Sequence, residues 1–191
     1  MKNICLFDID DTLLKAKGIF IYRKMPFDEK EIALTPEQFA KDENIKDYNN
    51  VKYYNFRDFE DPDKIYSSII DGVPLIQNLQ YVDYYHDHQY EIGILTARRH
   101  EEFVYRALCK WLKYKDKSGK FVDIEIKREY VFAINDKKYS DVPCPDADKK
   151  IYILKNISKE FSKVVYIDDD DKNIKKAKES GIENLTVIKA E

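Results

Sequence analysis

The chain has 191 residues, of which 33 are basic and 36 acidic, and its formal net charge is −3. This length suits one domain with room for an insertion, and the charge balance excludes an overall polycation that would grip nucleic acid. No apolar stretch approaches the roughly 18 residues of a membrane span. Asp8 and Asp10 interrupt the apolar block that a signal peptide would need, so we expect a cytoplasmic protein, or one of the host cytoplasm if the source is viral.

The first predicted strand covers residues 3–8 and runs directly into carboxylates. Asp8 and Asp10 are two positions apart, so on a continuing strand they share one face. Two carboxylates held together repel each other unless a cation or a proton lies between them. The segment therefore predicts a carboxylate nucleophile and a metal site at the carboxyl edge of a sheet, where open α/β sheets bind ligands.

Residues 15–72 do not follow a regular strand–helix pattern and are predicted to form an insertion over that edge. Met25-Pro26, Thr35-Pro36, Asp61-Pro62 and Asp71-Gly72 are read as breakers, and a short helix follows Thr35. Ordinary loop with one helix is an equal alternative. The aromatic residues of this segment form either a small hydrophobic core or a surface that stacks on a base or sugar; they are Tyr48, Tyr53, Tyr54, Phe56 and Phe59.

The rest of the chain alternates helices and strands. Helices are predicted at 74–89, 100–115, 147–161 (after Asp146 as N-cap) and 173–180, and strands at 91–95, 122–126, 130–134, 163–167 and 185–188. Such alternation predicts an α/β fold with a three-layer, Rossmann-like, mostly parallel sheet. The strand at 163–167 again ends in acids, beginning with Asp168 and Asp169.

Four signals in this order resemble the haloacid dehalogenase-like (HAD) hydrolase superfamily, whose members are mostly Mg²⁺-dependent phosphatases. They are Asp8-x-Asp10-x-Thr12, Thr96 after an apolar run, Lys149 or Lys150 at the start of a helix, and Asp168-Asp169. The resemblance covers nearly the whole chain outside the insertion. It implies the HAD-type fold and a phosphomonoester hydrolase that works through an aspartyl-phosphate.

The resemblance also implies a role for each matching residue. Asp8 would be the nucleophile, Asp10 the general acid and then base, and Asp8, the Asp10 backbone carbonyl and Asp168 the Mg²⁺ ligands. Thr96 would bind the phosphoryl oxygens. Asp169 would orient the motif lysine or a metal-bound water, and Thr12 would cap the turn after the first motif. Lys149 is favoured over Lys150 as the lysine beside the nucleophile, because it lies within the first turn after Asp146.

A closer resemblance is to the phosphatase half of phage polynucleotide kinase-phosphatases. It rests on Thr96-Ala97-Arg98, on Lys110-Trp111-Leu112 and on the spacing of Lys149, Phe161 and Asp168-Asp169. This resemblance implies a phosphate-binding segment at 96–98 in which Arg98 contacts the substrate phosphate; a solvated helix-start arginine is the alternative. The chain departs from those proteins because it has no GxxxxGK[ST] loop and therefore no kinase half.

The expected substrate is a nucleotide, a nucleic-acid end or another small phosphomonoester, with no obligate protein partner evident. The alternatives are a phosphomutase and a non-catalytic HAD-like binding module. A receiver-type signalling domain is disfavoured by motif order, because its lysine comes last, whereas here the second acidic cluster follows the lysine.

Overall fold

The computed structural model describes residues 2–115, 120–139 and 145–191. The strands are β1 Asn3–Phe7, β2 Leu14–Lys15, β3 Ile21–Arg23, β4 Ile32–Leu34, β5 Tyr54–Asn55, β6 Val73–Pro74, β7 Tyr90–Thr96, β8 Lys113–Lys115, β9 Phe121–Asp123, β10 Val131–Ala133, β11 Lys163–Asp168 and β12 Leu185–Lys189. The helices are α1 Pro36–Ala40, α2 Pro62–Ile70, α3 Ile76–Asp87, α4 Glu101–Trp111, α5 Asp146–Ile157 and α6 Asp171–Lys178.

The central sheet has five parallel strands in the order β10-β7-β1-β11-β12. Its middle strand, β1, is buried on both faces, which explains its unbroken apolar run. Alternate residues of β1 enter two different cores: Cys5 and Phe7 join one, and Ile4 and Leu6 join the other. The parallel sheet predicted from the sequence is confirmed.

Helices cover both faces of this sheet. Residues of α2, α3 and α4 contribute to the core that contains Phe7, and residues of α5 and α6 contribute to the core that contains Leu6. Each helix buries one stripe, as the spacing of Val104, Ala107 and Leu108 in α4 illustrates. The three-layer arrangement is therefore also confirmed.

The two ends of the segment between β1 and α3 are brought together because β2 pairs with β6 in antiparallel register. Between them, β3, β4 and β5 form a three-stranded antiparallel sheet. Thr35 starts α1 through a reciprocal pair of hydrogen bonds with Gln38. The Phe39 ring packs edge-to-face against Tyr54, which is buried, and against Phe56, which is 37% exposed. The side chain of Tyr48 lies outside the described residues.

Some elements differ from the sequence prediction. Asp61-Pro62, read as a breaker, begins α2: the Asp61 carboxylate accepts hydrogen bonds from the first-turn backbone, and Pro62 takes the first helical position. The α4 helix ends at Trp111, and the chain then turns into β8, which pairs with β9. In the part of the chain that the structure describes, no helix is long and apolar enough to cross a membrane.

Candidate active site

The candidate active site lies where β1, β7 and β11 end side by side. Phe7, the last residue of β1, pairs with Ile94 of β7 and Ile167 of β11, so Asp8, Thr96 and Asp168 lie at the same edge of the sheet. The chain then makes a tight turn in which the backbone N–H groups of residues 12, 13 and 14 donate to the Ile9 carbonyl. Asp11 occupies the left-handed region of this turn (φ 55°), which Asp tolerates better than most residues.

Lys150 lies inside this acidic edge. Its Nζ lies 3.1 Å from Asp8 Oδ1 and donates to Asp168 Oδ2 at 2.7 Å, and its side chain is 2% exposed. Burial alone would lower the pKa of Lys150, but the Asp8 and Asp168 carboxylates outweigh burial and raise that pKa above its usual range. Lys150 is thus a fixed cation beside the predicted nucleophile.

Lys149, which was predicted to be the lysine beside the nucleophile, does not lie beside Asp8. The Lys149 ammonium donates to Asn135 Oδ1 at 2.9 Å, and Lys150 rather than Lys149 faces Asp8. The reason is the rotation of α5. Lys150 shares the buried stripe of Ile153, Leu154 and Ile157, at the spacing of three, four and seven residues that one helix face requires. That spacing was visible in the sequence and could have identified Lys150.

Asp8 is buried and poorly neutralised. Burial is the largest cause that raises its pKa to about 7; Lys150 opposes the shift, and Asp168 and Asp10 add to it. Among the described residues, no group makes a hydrogen bond of good geometry to Asp8 Oδ1, although this atom is buried. Asp8 Oδ1 thus contacts the Lys150 ammonium at 3.1 Å and keeps the capacity to accept from a further cation or to meet an electrophile.

Asp168 is held from several sides. Its Oδ1 accepts from the Asp170 backbone N–H at 2.8 Å, and its Oδ2 accepts from Lys150 and from the Tyr166 hydroxyl. The Asn173 amide donates to both oxygens, at 3.2 and 3.1 Å. These donors fix the orientation of the Asp168 carboxylate at the end of β11.

Three carboxylates converge closely enough to hold a metal ion. One oxygen from each of Asp8, Asp168 and Asp169 lies within 4.8 Å of the others. Burial, and then Asp168, raise the pKa of Asp169 to about 6, while the Thr12 hydroxyl, which donates to it at 3.1 Å, lowers it. The donor set consists of hard carboxylate oxygens, so these residues fit Mg²⁺. Asp169, which was expected to orient the motif lysine or a metal-bound water, lies within this cluster of three carboxylates.

Arg98 forms a bidentate ion pair with Asp10. Its Nε and Nη2 donate to the two Asp10 oxygens at 2.8 and 2.7 Å, and its Nη1 donates to the Ser68 hydroxyl at 2.8 Å and the Ile65 carbonyl at 3.2 Å. These contacts occupy at least four of the five guanidinium N–H groups. Arg98 is 4% exposed. These partners of Arg98 are all protein groups, whereas the resemblance implied a contact between Arg98 and the substrate phosphate.

Thr96 ends β7 with its side chain almost fully buried, at 1% exposure. Its hydroxyl accepts from the Arg98 backbone N–H at 3.4 Å. Ala97 follows, and its carbonyl accepts from the Asn135 side-chain amide at 2.8 Å. The 96–98 segment is thus anchored at the sheet edge, next to the strand that carries Asp8.

Sequence reasoning missed three residues that shape this site: Ser68, Tyr166 and Asn173. Tyr166 looked like one more apolar strand residue, and Asn173 like the start of a helix. Ser68 was hidden because Asp61-Pro62 was taken for a breaker, although Asp before Pro is also a helix-start signal.

No protein-family model and no curated protein matches this chain. Among solved structures, the chain is similar to HAD family enzyme BT-2542 from Bacteroides thetaiotaomicron, in a magnesium complex. The TM-score is 0.41 at 13% identity, with 99% of this chain and 94% of that chain covered. A likeness this weak transfers no activity from that enzyme to this chain.

Proposed function

We propose that the protein is a Mg²⁺-dependent phosphomonoester hydrolase that works through an aspartyl-phosphate on Asp8. The observation that carries the proposal is the buried Asp8 carboxylate, whose Oδ1 lies 3.1 Å from the Lys150 ammonium without a hydrogen bond of good geometry. One oxygen of this carboxylate also lies within 4.8 Å of oxygens from Asp168 and Asp169. A carboxylate attacks a phosphate dianion only when cations offset the repulsion between them. Mg²⁺ bound to these carboxylates would supply the charge that Lys150 alone does not.

In the first half-reaction, an Asp8 oxygen forms a bond to phosphorus and the ester bond to the alcohol breaks. Asp10, 41% exposed at its side chain, would enter this step carrying the proton that it takes from water in the second half-reaction, and would give it to the leaving oxygen. In the second half-reaction, Asp10 takes a proton from water, whose oxygen attacks phosphorus and releases phosphate and free Asp8. Lys150 stays charged throughout, and Thr96 and the adjacent backbone N–H groups receive the phosphoryl oxygens.

The test is phosphate release from a panel of substrates: p-nitrophenyl phosphate, nucleoside monophosphates, sugar phosphates, and oligonucleotides that end in a 3′- or 5′-phosphate. We expect release that requires Mg²⁺ and stops in EDTA, and an acid-stable phosphoryl group on the protein that hydroxylamine removes. A folded protein that releases phosphate equally well in EDTA would contradict the proposal.

Within this proposal, Arg98 positions Asp10 rather than binding phosphate, and Ser68 positions Arg98. We expect Ser68→Ala to lower kcat for alkyl phosphates by about tenfold, as part of the 10²–10⁴-fold that general acids contribute. Hydrolysis of p-nitrophenyl phosphate should fall less than about threefold, because its leaving group needs little protonation. The measurement is kcat for both substrates in the same preparation.

Ser67→Ala is the matched control. Ser67 lies on the same helix and donates to a backbone carbonyl in the same way as Ser68, but Arg98 bonds to Ser68. We expect Ser67→Ala to leave kcat unchanged for both substrates. Equal losses for both substrates in Ser68→Ala would argue against a positioning role and for a general loss of structure.

A further inference from the structure

A cavity of about 390 Å³ adjoins the site on the side of Arg98. The insertion contributes Phe39, Phe56 and Phe59 to its wall, and the main body contributes Ala97, Asn135 and Asp146. We call it the ring pocket. A cavity of about 150 Å³ is enough for benzene, so this pocket has room for one or two fused rings.

The ring pocket lies on the side of the site toward which the alcohol part of the ester would leave. Arg98 lines the pocket and donates hydrogen bonds to both oxygens of Asp10. Ala97, which also lines the pocket, directly follows Thr96 in the chain. In the proposed reaction Asp10 protonates the leaving oxygen. The alcohol part of the ester therefore departs from the side of Asp10. The ring pocket lies on the Arg98 side of this carboxylate, and Asp10 itself lines a separate cavity of about 250 Å³.

The wall chemistry of the ring pocket favours a planar, uncharged group. Phe39 and Phe56 pack edge-to-face at 5.5 Å, and Phe56 and Phe59 at 6.3 Å, yet Phe56 remains 37% exposed. Arg99 is paired with Glu60 at 3.0 Å, and Asp146 accepts a hydrogen bond from the neutral amide of Asn135 at 3.2 Å. On the side of the three Phe residues, a polyhydroxylated group would find aromatic carbon rather than partners for its hydroxyls.

We propose that the ring pocket binds an aromatic ring carried by the alcohol part of the phosphomonoester, with Phe56 as the stacking surface. This inference rests on the proposed hydrolase function, because that function sets which part of the substrate faces Asp10. It narrows the substrate class to ring-bearing phosphomonoesters and assigns the choice of ring to the insertion.

The test compares two substrates that share a phosphorylated sugar: adenosine 5′-monophosphate and methyl riboside 5-phosphate, in which a methoxy group replaces the base. We expect kcat/KM to be at least about tenfold higher for the ring-bearing substrate, and Phe56→Leu to reduce this ratio by about fivefold or more. Phe27→Leu, at a residue of the insertion that is 98% exposed, should leave the ratio unchanged. A thermal melt confirms that each variant is folded, and Phe59→Leu replaces Phe56→Leu if that variant does not fold.

A binding measurement separates this inference from the proposed function. Asp8→Asn is titrated calorimetrically with the same two compounds in Mg²⁺, with and without Phe56→Leu. Tighter binding of the ring-bearing compound that Phe56→Leu abolishes supports the ring pocket, even if no variant releases phosphate. Equal binding and equal kcat/KM for both compounds would overturn the ring pocket and leave the hydrolase proposal standing.

Discussion

Asp8→Asn is expected to lower phosphate release by at least about a thousandfold, because the amide cannot attack phosphorus. The substitution keeps the shape of the side chain at the end of β1, so the fold should survive. Phosphate release in Mg²⁺ and the hydroxylamine-sensitive phosphoryl group should both disappear. Retention of most of the activity would rule out the covalent mechanism.

Asp11→Asn is the matched control for Asp8→Asn. It makes the same chemical change three residues away, at an exposed acid whose left-handed backbone Asn also tolerates. We expect its activity to stay within about threefold of the wild type.

Comparison of Asp8→Asn with the wild type also tests the raised pKa of Asp8. Burial raises this pKa to about 7, above the value of about 3.9 in an unfolded chain. Without metal, the folded protein therefore holds a proton that the unfolded chain has lost between about pH 4 and 7, and ionising Asp8 destabilises the fold as pH rises through that window. Asn stays neutral. In EDTA, Asp8→Asn should melt higher than the wild type at pH 8, by a margin that shrinks at pH 5.

Lys150→Met is expected to have the second large effect. It removes a cation that lies 3.1 Å from Asp8 and 2.7 Å from Asp168, so kcat should fall by at least about a hundredfold. In EDTA the free energy of unfolding should fall by about 3–5 kcal/mol, because two buried carboxylates lose their counter-ion. Mg²⁺ should restore part of the stability and little of the activity.

Lys149→Met tests the adjacent position. The Lys149 ammonium contacts Asn135 rather than the carboxylates, so we expect kcat within about threefold of the wild type and a stability change below about 1 kcal/mol. The reverse order of effects, with Lys149 essential and Lys150 dispensable, would overturn the assignment of Lys150 and require a different orientation of α5.

The fold was predictable because it depends on patterns that extend over many residues. The apolar runs that end at Asp8, Thr96 and Asp168 identified three parallel strands, and parallel strands deliver their last residues to one edge. The helices between them followed from apolar spacing. The candidate site was predictable to that extent: which strand ends meet, and which acids lie there.

The details that the sequence did not predict depend on the rotation of a helix about its axis and on the bonding partners of individual side chains. One residue of rotation on a helix is about 100°, so Lys149 and Lys150 face different surroundings, and only the buried stripe of α5 decides between them. Likewise, a motif match placed Arg98 near phosphate but could not show that α2 would supply Ser68 to Nη1, or that Asp10 would accept from Nε and Nη2.

The contact between α2 and Arg98 limits how this protein can be rebuilt. The β2–β6 pair looks like a natural junction for exchanging the whole segment between them with that of another protein. Such a chimera would discard Ser68 and the Ile65 carbonyl, and with them the anchor of the Arg98–Asp10 pair. A graft that changes only residues 16–60 and retains α2 would replace the aromatic wall of the ring pocket while preserving the support of Asp10. Under the proposed function, residues 16–60 would set substrate choice and α2 would support catalysis, so the two roles would be divided at the start of α2.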